Sequence, residues 1–145
     1  MVLYIYMRYK GKFRPQNNEK YRGNASNIIY RSGWELKFMK YLDRQPNILQ
    51  WSSEEVIIPY RSPIDGKVHR YYPDFWVKTL KGETLIEIKP KKQTKPPVNK
   101  DKRTKSYRNA TLTFMKNSAK WKAAKGYCDD RQMKFLILTE DHLAV

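Results

Sequence analysis

The chain has 145 residues, enough for one domain with a core of its own, and sets 30 Lys and Arg against 14 Asp and Glu for a net charge of +16. A field that strong opposes its own folding, so it points to a polyanionic partner, nucleic acid first, with a surface kept basic for solubility as the plain alternative. The single Cys128 excludes an intramolecular disulfide and a cysteine-based zinc finger and suits a reducing compartment; His69 and His142 are too few for a His-cluster metal site of the HNH kind; and no Gly-x-x-x-x-Gly-Lys run is present to make a P-loop.

In chain order, Met1–Met7 is apolar but too short for a signal core or a membrane span, and reads as an upstream extension with Met7 as a second candidate start. Residues 8–27 are basic and polar without a period, and residues 1–27 are expected to form an N-terminal arm in front of a domain at 28–145. Arg8, Lys10, Lys12, Arg14, Lys20 and Arg22 alternate there with Tyr9, Phe13 and Tyr21. Such aromatics can stack on unpaired bases or pack the arm onto the domain, and packing is the commoner outcome. Ser32, followed three residues later by Glu35, is a capping box, so a helix is expected from there to Arg44, ahead of Pro46, with Phe38, Met39 and Leu42 on one stripe and Glu35 on the same side.

Three strands come next, at 54–60, 68–78 and 83–89, separated by turns at 62–67 and 80–82 and stopped by Pro90; tight loops make them an antiparallel meander. Residues 90–109 are a basic, proline-containing loop, expected to be mobile, with Lys91, Lys92, Lys95, Lys100, Lys102, Arg103 and Lys105 against Asp101 alone. A helix is expected at 110–125, with Leu112, Met115, Ala119 and the Lys122 stem inward and Gly126 as its cap. Residues 134–139 read as a last, fully buried strand. The expected fold class is α/β, a mixed sheet flanked by helices, in the order helix, three-strand meander, helix, strand. Trp51, Trp76 and Trp121 are expected in the core, and His69 at the surface.

The chemistry concentrates in two pieces. Tyr72-Pro73-Asp74 is followed, after twelve residues, by Glu87-Ile88-Lys89. Strand alternation puts Tyr72, Asp74 and Trp76 on one face, and Leu85, Glu87 and Lys89 on one face of the next strand, so Asp74, Glu87 and Lys89 can converge. Two hard carboxylates hold Mg²⁺, which polarises a phosphate and lowers the pKa of an attacking water. A lysine beside them orients that water or offsets charge on the phosphate. Ile88 alternates away and can offer only its backbone carbonyl. The plain alternatives are an Asp that begins a turn and a Glu/Lys pair on a half-exposed strand. Glu35 stands open between a capping residue and a third carboxylate of the site. The basic run from Lys91 to Lys105 is placed to clamp phosphates near the cut, with Arg8, Lys10, Lys12 and Arg14 as a second patch; a solvated charge run is the ordinary reading of both.

Arg31-Ser32-Gly33-Trp34-Glu35-Leu36-Lys37-Phe38, Tyr72-Pro73-Asp74-Phe75 and Ile86-Glu87-Ile88-Lys89-Pro90, with Tyr9-Lys10-Gly11-Lys12-Phe13 before them, resemble the head completion nucleases of tailed phages, within the PD-(D/E)xK superfamily. The pattern is more distantly similar to the endonuclease subunit of Tn7-like transposases. The resemblance covers about residues 9–139. It implies a restriction-endonuclease-like core and Mg²⁺-dependent DNA cleavage, with Mn²⁺ as an alternative ion. It places Glu35, Asp74, Glu87 and Lys89 in the active site, with Asp74, Glu87, the Ile88 carbonyl and Glu35 as the candidate metal donors. Implied partners are double-stranded DNA and proteins of the phage head, portal or neck; a homo-oligomer stays open, and no membrane is implied. The implied location is the virion, and the host cytoplasm during assembly. Two other functions stay open: a structural head protein that binds packaged DNA by charge alone, and a transposase-type subunit that cuts where a partner directs it.

Overall fold

A computed structural model describes residues 10–98 and 103–143 of the chain. The expectations for Met1–Met7, Arg8, Tyr9, Lys100, Asp101 and Lys102 lie outside the described residues.

Strand β1 (Gly11–Phe13) pairs antiparallel with β2 (Ile28–Tyr30), and one 3₁₀ turn, Asn18–Lys20, lies between them. The segment has no period, yet it is tied down at discrete points. Phe13 and Tyr21 are buried and meet Trp51 edge-on, with ring centroids 5.9 and 4.8 Å away. The buried Asp43 carboxylate accepts from the backbone N–H groups of Gln16 and Asn17 at 2.9 and 3.1 Å. Lys20 Nζ donates to the carbonyls of Leu42, Asp43 and Gln45. It thus closes a helix end whose last carbonyls have no partner within the helix. Lys20 is therefore structural, which corrects its place in the candidate patch.

That helix, α1 (Gly33–Arg44), begins where the capping box put it: Ser32 Oγ accepts from Glu35 N at 3.1 Å. Its Met39 and Leu42 are buried, with Phe38 half-buried beside them. β3 (Gln50–Ser53) follows, then a hairpin of β4 (Ile58–Arg61) and β5 (Val68–Tyr71), then β6 (Phe75–Thr79) and β7 (Gly82–Ile88). The 3₁₀ turn Lys91–Thr94 leads toward the long helix α2 (Lys105–Asp130), after which come β8 (Lys134–Leu138) and the one-turn helix α3 (Glu140–Leu143). The main sheet runs β3-β6-β7-β8; the first two pairings are antiparallel and β7–β8 is parallel, closed by the α2 crossover that a parallel pair requires. The α/β class, the mixed sheet and the flanking helices are as expected.

Several boundaries differ, each for a physical reason. The first meander strand is β3, not 54–60. Trp51 anchors it in the core, while Glu54 adopts a left-handed φ of 55° that ends it, and of the β-branched run only Ile58 enters a strand, in the separate hairpin. The expected strand 68–78 is two strands in two sheets. Pro73 has no N–H to give a ladder, so the chain bends at Tyr72–Asp74, and Tyr72 is exposed rather than aligned with Trp76. Helix α2 starts five residues before the expected 110, capped by Thr104 Oγ accepting from Tyr107 N, and runs through Gly126. Lysine and arginine are good helix formers on an exposed surface, so its first turns need no apolar stripe. Its inward line is Asn117, Trp121, Ala124 and Cys128, so Leu112, Met115 and Lys122 face outward, against expectation. β8 is an edge strand with Lys134 and Leu136 exposed, not fully buried.

The sheet separates two apolar clusters. Phe75, Val77, Ile86 and Ile88 pack toward α1, and Trp76 and Leu85 pack toward Ala124 and Cys128 of α2 together with Tyr60 and Tyr71 of the hairpin. By the two-residue period of β7, Glu87 shares the Leu85 face, toward α2 and the hairpin.

Candidate active site

The register of the sheet brings the two sequence pieces together. Phe75 pairs with Ile86, so the next step of the antiparallel ladder carries Asp74 to the level of Glu87. The bend at Pro73 frees Asp74 from strand pairing, and its carboxylate instead caps the neighbouring strand: Asp74 Oδ2 accepts from Ile88 N at 2.7 Å. Asp74 Oδ1 accepts no hydrogen bond among the described residues. Glu87, only 6% exposed, is held on both oxygens: Tyr71 O–H donates to Oε1 at 2.7 Å, and the Lys89 ammonium lies 3.6 Å from Oε2. Lys89 sits just past β7, with its own N–H bonded to the Leu138 carbonyl.

Glu35 arrives from the other face, on the first turn of α1. The expected return bond from its carboxylate to the Ser32 amide is not made; Oε1 accepts from Arg31 N at 3.2 Å and Oε2 lies 3.5 Å from Ser32 Oγ. Glu35 is thus part of the cap and is also buried beside the other acids. Burial pushes its carboxyl up to about 7, with Glu54 and Glu87 adding to the rise. Asp74 is raised well above the usual carboxylate range, first by burial and then by Glu87 and Glu35. Glu87 is also raised by burial, with Lys89, the Tyr71 hydroxyl and Lys120 pulling the other way. Three acids from three elements therefore crowd one another in a poorly solvated place, an arrangement that favours protons or a cation.

Among the described residues, no group of three or more His, Cys, Asp and Glu side chains forms a ready cage for a metal ion. Mg²⁺ does not require one, since it is ordinarily held by one or two carboxylates and completed by water and substrate phosphate. Asp74 and Glu87, with the Ile88 carbonyl at the end of β7 and Glu35 nearby, are hard oxygen donors that fit such an ion in kind.

Sequence reasoning missed two parts of this site. Tyr71, the residue before the Tyr72-Pro73-Asp74 piece, fixes Glu87. Lys120 comes from α2, its ammonium 5.8 and 5.7 Å from the ring centres of Tyr60 and Tyr71. Burial lowers its pKa, as does Lys116, while Glu87 and Asp74 act to raise it. The signal for Lys120 was the Trp121, Ala124, Cys128 spacing, which sets the inward face of α2. Arg31 and Glu54 complete the surroundings on the α1 side, joined by two hydrogen bonds of 3.2 and 3.1 Å.

The candidate DNA-binding residues that the structure describes lie at the surface. Lys92, Lys95, Arg103 and Lys105 are exposed, as are Lys10, Lys12's side of β1 and Arg14. Lys91 is tied back: its N–H donates to Glu140 Oε1 and its ammonium pairs with Asp141 at 2.8 Å. The turn Lys91–Thr94 and the early start of α2 therefore shorten the expected loop of 90–109. Arg8, Lys100 and Lys102 fall outside the described residues. Arg22 lies over the Trp76 ring at 4.8 Å and lines a different groove.

Residues 45–140 match the family described as TnsA-like endonuclease N terminal. The chain is 46% identical over 142 residues to the head completion nuclease of Enterobacteria phage T4, an alignment that spans 94% of this chain and 95% of that protein. With the Pro-Asp bend, the Glu-x-Lys strand end and the capped Glu35 helix all inside the aligned span, the chain belongs to the head completion nuclease family.

Proposed function

We propose that this protein is a Mg²⁺-dependent DNA endonuclease that acts in phage head completion, on packaged double-stranded DNA near the head, portal or neck proteins. The observation that carries the reading is the pairing of Asp74 and Glu87 at one level of the sheet, electrostatically coupled to Glu35, with the Lys89 ammonium 3.6 Å from Glu87. A protein that bound DNA by charge alone would gain nothing from burying three acids on a basic domain, since buried like charges oppose folding and repel phosphate. The whole-length likeness to a head completion nuclease favours this reading over a transposase-type subunit.

When bound, Mg²⁺ supplies a Lewis acid for the scissile phosphate and a more acidic water. Asp74 and Glu87 would hold it, with the Ile88 carbonyl as a further donor and Glu35 at the rim. The residues of the chain do the positioning. Ile88 N fixes the Asp74 carboxylate by one oxygen and leaves the other available. Tyr71 fixes the Glu87 rotamer. Lys89 reaches the same place from the end of β7, where its charge offsets negative charge developing on the phosphate. Lys120 adds a second cation from α2.

Supercoiled plasmid at low salt, with Mg²⁺ or with EDTA, beside a Lys89→Ala variant, tests this. Nicking or linearisation that needs Mg²⁺ and is lost in the variant is the expected result. Tight binding without cutting in any divalent ion would transfer the assignment to charge-only DNA binding.

A further inference from the structure

Next to the acids lies a groove that cutting alone does not use. Residues 92–97 lie beside the first half of α2, and a space of about 430 Å³ opens between them. Lys92, Gln93, Lys95, Asn109, Phe114 and Asn117 line it. It adjoins the active site on two sides. The turn Lys91–Thr94 begins two residues after Lys89, and Asn117 is one helical turn before Lys120, which faces Glu87 and Asp74.

Asn117 is the informative residue. It is only 6% exposed, and its amide makes no hydrogen bond among the described residues. Its amide atoms are not among the buried side-chain atoms left without a partner, so they meet the open space of the groove, where the polar edge of a ligand can replace water. The rest of the lining names the ligand's chemistry. Half-buried Phe114 offers a flat ring. Asn117, Asn109 and Gln93 each carry both a donor and an acceptor. Exposed Lys92 and Lys95 bring positive charge to the rim. A stacking surface, amides for a base edge and cations for the attached phosphate are the elements by which proteins hold single unpaired nucleotides. A base inside a closed duplex cannot enter a groove of this size.

We propose that this groove receives one unpaired nucleobase of the strand held at the acids, so that the protein prefers DNA with a splayed or single-stranded end to closed duplex. The proposal rests on the nuclease reading only for which strand is held; the base-binding itself does not depend on cutting.

The test measures binding in EDTA, by fluorescence anisotropy, to two hairpin DNAs with the same number of phosphates, one blunt and one with a single-stranded end. Wild type is expected to bind the open-ended DNA about tenfold tighter, the scale of one base–aromatic stack. Asn117→Leu and Phe114→Ala should lose that preference and keep the blunt-end affinity. Asn117→Leu should melt no lower than wild type. Ala110→Trp, an exposed substitution that fills the groove, guards against variants that fold poorly and should act the same way. Equal affinity of wild type for the two DNAs, retention of the preference by the variants, or equal weakening of both DNAs would each overturn the proposal. Absence of the preference in a wild-type protein that cuts plasmid refutes the base site alone. A retained preference without any cutting refutes the nuclease reading alone.

Discussion

Glu35 does two jobs that pull against each other. Its carboxylate caps the start of α1 through Arg31 N, and its burial near Glu54, Glu87 and Asp74 makes its charge unfavourable. The stability consequence has a definite sign. A carboxyl raised from 4.5 to about 7 binds its proton more tightly folded than unfolded, so its contribution is full below about pH 4.5 and is lost as pH rises through about 7. Asp74 and Glu87 are raised too and act in the same direction. In EDTA, Glu35→Gln is expected to melt above wild type at pH 8, with the gap closing as pH falls to 5; thermal melts across that range check it, and a gap independent of pH would contradict the assignment. At this scale the sequence was informative. Asp74, Glu87 and Lys89 were visible from spacing and alternation, because the strand period of two is simple. Tyr71 was not visible, because its approach depends on how the hairpin docks, and the Trp121, Ala124, Cys128 spacing that sets the inward face of α2 does not say that Lys120 on it meets Glu87 and Asp74.

Three elements deliver the acids, and each is held by something local. For α1 it is the Ser32 cap. Ser32→Ala removes an N-cap and is expected to cost about 1 kcal/mol of stability. It should also slow cleavage, since the same turn places Glu35. Denaturant melts and plasmid cleavage of one preparation measure both; unchanged stability would mean the cap bond is idle. For β6 the device is the bend at Pro73, which a continuous strand at 68–78 would have erased. The sequence reading missed this because Val68-His69-Arg70-Tyr71 and Phe75-Trp76-Val77 are each good strand sequence. Only the lost N–H of Pro73 separates them, and strand propensity does not say which partner each half will choose. Helix α2 was underestimated for a related reason. Its missed start, residues 105–109, is polar and lies mostly at the surface, so it carries no apolar period to read.

At the scale of the whole molecule the +16 charge and the buried acids divide the labour. In the proposed reading, the exposed lysines would attract the DNA backbone regardless of sequence, and the acids, which repel phosphate unless neutralised, would define the place of reaction. Lys92→Ala and Lys95→Ala together should weaken duplex binding equally for all sequences. Each substitution that removes a phosphate contact should also lower the slope of log affinity against log salt by about 0.9. A salt titration with two unrelated duplexes would show it, and an unchanged slope would place the phosphate contacts elsewhere. Net charge was legible from composition alone, whereas the way residues 10–27 dock onto the core through Phe13, Tyr21 and Lys20 was not. Those anchors are single residues without a period.

The proposed chemistry depends first on Asp74 belonging to a cutting centre and not to a turn. Asp74→Asn keeps the shape of the side chain and removes the charge, so the decisive measurement is its single-turnover cleavage rate in Mg²⁺ beside its DNA affinity in EDTA. Cleavage slower by about 100-fold or more is expected, with affinity equal to or tighter than wild type. Cleavage at the wild-type rate would contradict that role for Asp74.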